Sequence, residues 1–359
     1  MFSKFPRKIL WFLPVHLLAA CGNNSQNVSG LGKPSGDRER KLTSLGYTSL
    51  PLKKISRDSR YSGEFGVNGH DVDLLIDSGA NSTDLSNGLS PKLGLRIDES
   101  SQIISRGALG RPVTSRIGLG VLSAGPVSAL PFHFVVADKD LGNTATSRYD
   151  GQVGLDALEA LGALIDLRSG QMWVPGKNAA NAGSHSITPL GLQQGLGFTT
   201  LRMRPAKNLA HLVLESNWNG KLITWIVDTG AEVSVLSEAS AKKLGLTTRP
   251  SASRIIDASG DNAVARAGTF RNVYFDRLVL TEFQVAVIPL PAVRKSFKDR
   301  NGRAVDGIIG MDFLENTGAL FDAGSRVIYI GDPSDLKPQE VRQKTLAAQR
   351  QTYPVGLSF

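Results

Sequence analysis

The chain has 359 residues, 41% of them hydrophobic and 20% charged. That length exceeds one ordinary domain and suits two, and this composition is that of a folded globular protein. The formal charge is +9, with no basic stripe interleaved with aromatics, which makes nucleic acid a poor partner.

The first segment, 1–20, has the pattern of an export signal. Lys4, Arg7 and Lys8 precede a short apolar run from Ile9 to Ala20, too brief to span a bilayer as a helix. It ends in Leu18-Ala19-Ala20-Cys21, which resembles the lipobox of bacterial lipoproteins. The resemblance implies cleavage before Cys21, lipid on its thiol, and attachment to a bacterial membrane on the periplasmic side. Gly22 after the cysteine favours the outer over the inner membrane by the same analogy. Cys21 is the only cysteine in the chain, so neither a disulfide framework nor a cysteine metal site is available. No residue set proposes a metal or any other cofactor.

Residues 21–44 lack apolar periodicity and read as a flexible tether. Lys53, Lys54, Arg57 and Arg60 follow. They are candidates for a pro-segment that contacts acidic residues of a cleft.

The body then repeats itself. Asn68-Gly69 through Leu75-Ile76-Asp77-Ser78-Gly79-Ala80 to Lys92-Leu93-Gly94-Leu95 aligns without a gap, at an offset of 151, to Asn219-Gly220 through Ile226-Val227-Asp228-Thr229-Gly230-Ala231 to Lys243-Leu244-Gly245-Leu246. Asp150-Gly151-Gln152-Val153-Gly154-Leu155-Asp156 aligns to Asp306-Gly307-Ile308-Ile309-Gly310-Met311-Asp312 at an offset of 156. The five residues gained are assigned to a polar surface loop, Arg294 to Arg303. A repeat this long is one domain duplicated. The organisation expected is a first lobe at 45–177, a linker at 178–195, a second lobe at 196–332 and a tail at 333–359.

Each copy reads as mostly β. Asn-Gly tolerates the positive φ values of a type I′ hairpin turn. Val72 to Ile76, Ile223 to Val227, Phe132 to Ala137 and Phe283 to Ile288 read as strands. Helices are predicted over Ser86 to Leu93 and Ser237 to Leu244, and from Asp156 and Asp312, whose carboxylates suit capping. His70 and His133, the tryptophans, and Asp166 and Asp322 are read as structural.

An apolar strand that runs into an aspartate is costly unless that carboxylate is bonded or has a task. The glycine two residues on permits a turn that brings backbone amides to it. Two such turns across a two-fold axis set the carboxylates face to face, and at about 3 Å they share a proton, which makes a base and an acid of one pair.

Asp77-Ser78-Gly79-Ala80 and Asp228-Thr229-Gly230-Ala231, each followed by an Asp-Gly-x-x-Gly block, resemble the aspartic peptidases, and the alanine after glycine is similar to retropepsins. The resemblance implies a two-lobed, pseudo-two-fold acid-protease fold. It implies catalysis by Asp77 and Asp228 on a protein or peptide substrate, with Ser78, Gly79, Ala80, Thr229, Gly230 and Ala231 supporting the site. Gly154 and Gly310 would pack beneath. It also implies two flaps, for which Ile103 to Arg111, with Gly107 and Gly110, and Ile255 to Ala265, with Ser259 and Gly260, are the candidates. Gln152 departs from the pattern, which wants an apolar residue there, and marks lobe one as the more degenerate copy. One chain supplies both aspartates, so a monomer suffices. The alternative function is a catalytically silent envelope lipoprotein that binds peptides or a partner on the same fold.

Overall fold

The computed structural model describes residues 9–10, 17–19, 36–55, 59–137, 149–176, 199–207, 210–257 and 260–330. Cys21, Arg57, Ser259, the linker 178–195 and the tail 333–359 lie outside them.

Each lobe closes a six-strand barrel. In lobe one the ring runs Tyr61–Val67, His70–Ile76, Gly151–Val153, Asp84–Ser86, Val127–Ala137, Pro112–Ala124, and closes where Gly66 and Val67 meet Ser123 and Leu122. In lobe two it runs Leu212–Trp218, Lys221–Val227, Gly307–Ile309, Val235–Ser237, Leu278–Ile288, Asn262–Phe275, and closes at Asn217 against Tyr274. The fold is mostly β and two-lobed, as the duplication predicts. Asn68 and Asn219 sit at φ 51° and 52°, each followed by a positive-φ glycine, so both Asn-Gly turns adopt the left-handed backbone their hairpins demand.

A six-strand antiparallel sheet joins the lobes, in the order Tyr47–Lys54, Gln171–Pro175, Leu164–Asp166, Leu320–Asp322, Val327–Ile330, Thr199–Arg202. Its central pair aligns Leu164 with Asp322 and Asp166 with Leu320. Trp225, fully buried, packs edge-on against Phe270 and Phe283 in the core of lobe two.

Three expectations change. Over Gly36–Ser44 the expected tether is a helix, α1. Its Leu42 is buried among Tyr47, Leu164, Trp173, Leu320 and Tyr329, and Arg38 donates to Asp166 (2.5 Å) and to the Gly318 carbonyl (3.2 Å). The apolar and ionic contacts fix a segment too polar to reveal them by periodicity.

The expected surface loop at Arg294 to Arg303 begins instead with the helix Pro291–Ser296, which buries Val293 and, just after it, Phe297. The expected helix at Ser86 to Leu93 shrinks to a 3-10 turn, Asn87–Leu89. Gly88 and Pro91 disfavour α-helix there. The second-lobe copy, Glu238–Leu244, keeps its helix, with Ser237 capping Ser240 and Gly245 left-handed at φ 75°.

Candidate active site

The strands His70–Ile76 and Lys221–Val227 are buried toward their C-terminal ends. Each delivers its aspartate one residue further on, where the backbone leaves the sheet. Asp77 N–H still donates to the Val153 carbonyl (3.0 Å), and Asp228 N–H to that of Ile309 (2.9 Å). The turns then fold back. Gly79 N–H donates to Asp77 Oδ1 (2.9 Å) and Gly230 N–H to Asp228 Oδ1 (2.8 Å). Both carboxyls are fully buried.

The two turns are tied to each other by their hydroxyls. Thr229 Oγ1 accepts from Ser78 N–H (2.9 Å) and donates to the Ile76 carbonyl (2.9 Å). Ser78 Oγ accepts from Thr229 N–H (3.0 Å) and donates to the Val227 carbonyl (3.1 Å). Every partner is related to its counterpart by the 151-residue offset. Serine in lobe one makes the same pair of bonds that threonine makes in lobe two.

This reciprocal lock brings the aspartates together. A Cβ added to Gly79 would stand 2.3 Å from the Asp228 carboxyl carbon, so only glycine allows the opposite carboxylate to sit there. Burial first, and then the neighbouring Asp77 charge, raise the Asp228 pKa well above the carboxylate range, against the opposing pull of the Gly230 and Ala231 amides. The pair therefore holds a proton.

The second blocks brace the turns. Gly154 and Gly310 lie against the Ser82 and Val233 backbones, with no room for a Cβ (2.5 and 2.7 Å). Asp156 accepts from Thr83 N–H and Oγ1 (3.1 and 2.7 Å), and Asp312 from Ser234 N–H and Oγ (2.9 and 2.6 Å). These carboxylates lie in the first turns of helices Leu155–Ala160 and Met311–Asn316, whose N-caps are Gly154 and Gly310 rather than the aspartates, and pin the segment after each catalytic turn.

Two long hairpins flank the site, Arg96–Arg106 with Pro112–Ala124 and Thr248–Asp257 with Asn262–Phe275. Gly107 and Gly110 form the first tip, where Gly110 N–H donates to the Gly107 carbonyl and φ reaches 111°. Gly260 turns the second at φ 85°. The hairpins meet, since Leu109 N–H of the first donates to Asp257 Oδ2 of the second (2.8 Å). Ala108 at the tip is buried.

Compared with known protein families, residues 64–157 and 214–313 match the model described as aspartyl protease. The chain belongs to the aspartyl protease family. The matched segments are the two barrels, each with its own aspartate turn, so this aspartyl protease carries both halves of its site in one chain. Comparison with curated proteins gives no match.

Two residues of this aspartyl protease have places in the site that sequence reasoning did not assign. Arg60, fully buried, donates to the Gly230 carbonyl (3.5 Å), and His211, also fully buried, bonds through Nε2 to the Gly79 carbonyl (2.9 Å). The same 151 offset relates them, so each lobe reaches across to brace the other's turn. Burial lowers the His211 pKa to about 3, which keeps the ring neutral, and Phe297 meets it edge-on at 4.5 Å.

Arg60 is thus part of the site's frame rather than of a pro-segment. Lys53 and Lys54 lie in the strand Tyr47–Lys54 and pair with Asp73 (3.3 Å) and Glu315 (2.5 Å), away from the aspartate pair.

Proposed function

We propose that the chain is a working aspartic endopeptidase with Asp77 and Asp228 as its catalytic pair. The observation that carries this reading is the pair of fully buried carboxyls, one from each lobe, on turns locked to each other by Ser78 and Thr229. In the reaction the ionised member draws a proton from a water lying between the carboxyls, and that water attacks the peptide carbonyl. The protonated member hydrogen-bonds the carbonyl oxygen, and the proton passes on to the leaving nitrogen. Positioned acid–base transfer of this kind contributes roughly 10²–10⁴ in rate. The substrate lies extended beneath the flaps, bound through its backbone like an added strand.

We further propose that Cys21 carries lipid and holds the enzyme on the periplasmic side of the outer membrane, where periplasmic and envelope proteins are its substrates. The Leu18-Ala19-Ala20-Cys21 run and the solitary cysteine support this. A monomer is the functional unit, because one chain completes the site.

The test is cleavage of an unbiased peptide mixture by the full chain in detergent, with Asp228→Asn as control and a statine inhibitor alongside. Cleavage that the substitution and the inhibitor both abolish establishes the peptidase. Peptide binding without cleavage at any pH refutes it in favour of a binding lipoprotein. Labelled palmitate entering wild type but not Cys21→Ser tests the anchor.

A further inference from the structure

The two lobes differ in chemistry at a pair of positions that the duplication makes equivalent. In lobe two Val235 lies opposite Ile308 in register, and Ile308 lies beside Ile226. These three join a cluster that includes Ala108 and Leu109 from the tip of the first flap and Ile255, Ala263 and Ala265 from the second. The face that carries Val235 and Ile308 is therefore the one the flaps cover, which makes it a wall of the cleft.

The offsets of 151 and 156 put Asp84 and Gln152 at the matching positions of lobe one, and the pairing repeats. Asp84 lies opposite Gln152, and Gln152 beside Leu75. Gln152 Nε2 donates to Asp84 Oδ2 (2.7 Å). The other oxygen, Asp84 Oδ1, is buried with no hydrogen-bond partner among the described residues. Ser115 lies on the same face, since Ala137 pairs with both Ser115 and Ser86, two residues along from Asp84. Its hydroxyl is likewise buried and has no partner among the described residues.

An apolar pair such as Val235 and Ile308 packs here without cost, as lobe two demonstrates. Leaving buried polar atoms unmet is unfavourable, and a ligand group that meets them recovers the loss. Burial, then the charges of Asp156 and Asp77, raise the Asp84 pKa well above the carboxylate range, and a carboxyl held neutral keeps lone pairs that accept from N–H or O–H donors.

We propose that Asp84 and Gln152 form a hydrogen-bonding subsite on the lobe-one wall that selects a substrate side chain bearing N–H or O–H donors, while Val235 and Ile308 select an apolar one on the lobe-two wall. This rests on the peptidase reading for its substrate class. Asp84 and Gln152 are specificity determinants that touch the substrate side chain, and neither takes part in bond cleavage.

The experiment compares the full chain in detergent with the double variant Asp84→Val/Gln152→Ile, which installs the pair lobe two already packs. Cleavage-site profiles come from a peptide library. The expected wild-type profile has a donor side chain at one position and an apolar one at a position across the scissile bond. The double variant turns the first position apolar and lowers kcat/KM for the donor-bearing peptide by about 100-fold or more, as befits a site built around hydrogen bonds. An unchanged profile overturns the proposal and leaves the peptidase standing.

A cleavage-independent arm repeats the comparison on an Asp228→Asn background and reads peptide binding by affinity selection. A donor preference that the double substitution erases supports the subsite even if no cleavage is ever seen. Equal binding without preference, or none, overturns it.

Discussion

Thr229→Val tests the cross-lobe lock in isolation. Valine matches threonine in shape, so packing is retained and only the hydroxyl is lost. Its removal leaves two buried backbone groups without partners, Ser78 N–H and the Ile76 carbonyl. At about 1–3 kcal/mol for each buried group left unmet, the loss comes to roughly 2–6 kcal/mol. Urea denaturation followed by tryptophan fluorescence reads it, and with a slope of about 1–3 kcal/mol per molar the midpoint drops by on the order of 1–2 M. Activity falls further than stability. The turn aims Asp228, and a misplacement of about 1 Å costs roughly 100-fold in rate. Thr229→Ser, which places in lobe two the hydroxyl that lobe one already uses, is expected to stay within about 1 kcal/mol of wild type. A valine variant as stable and as active as wild type would refute the idea that these hydroxyls hold the site.

Four other outcomes are expected. Activity should fall as pH rises through the raised pKa of Asp228, because the shared proton is lost, and a kcat/KM profile with no alkaline limb would contradict the protonated pair. Burial pushes Asp156 and Asp312 up to about 6. Between the unfolded carboxylate pKa of about 3.9 and that value the native chain holds protons that the unfolded chain lacks, so their contribution to stability is full at low pH and disappears on raising pH through about 6. Thermal midpoints at pH 4 and pH 7 should show the drop, and Asp312→Asn should lessen it; an equal drop in the variant argues against that assignment. Arg38→Met strands Asp166 in the sheet between the lobes and should cost about 3–5 kcal/mol in urea denaturation, with part recovered on adding Asp166→Leu. Asp257→Ala removes the acceptor for Leu109 N–H and should raise KM about tenfold, Asp257→Asn restoring most of it; equal KM values for all three would show that the flap contact is idle.

Much of this site was legible because the chain states it twice. An aspartate after one apolar strand is ambiguous, whereas two at a fixed offset fix each other's role. The Asn-Gly turns were equally readable, since few residue pairs accept that backbone. What stayed hidden depends on contacts between distant segments. Asp84 sits in Asn81-Ser82-Thr83-Asp84, which reads as an ordinary polar turn, and only its register against Gln152 reveals a buried pair. His211 carries no local signal, although its alignment with Arg60 was available in the numbering. α1 is charged along most of its length, and the one apolar side chain that anchors it, Leu42, makes no period. The helix Pro291–Ser296 looked like a loop because basic residues surround its buried Val293.

A polypeptide has a direction, and a two-fold axis has none. A protease assembled from two identical halves meets every substrate equally well in either orientation, and one amino-acid change necessarily alters both sides. Here the halves are joined, and the place that Asp84 and Gln152 take in lobe one is taken by Val235 and Ile308 in lobe two. With the proposed subsite the cleft has a head and a tail, so a bound chain can be told from its reverse, and each side is free to evolve without the other.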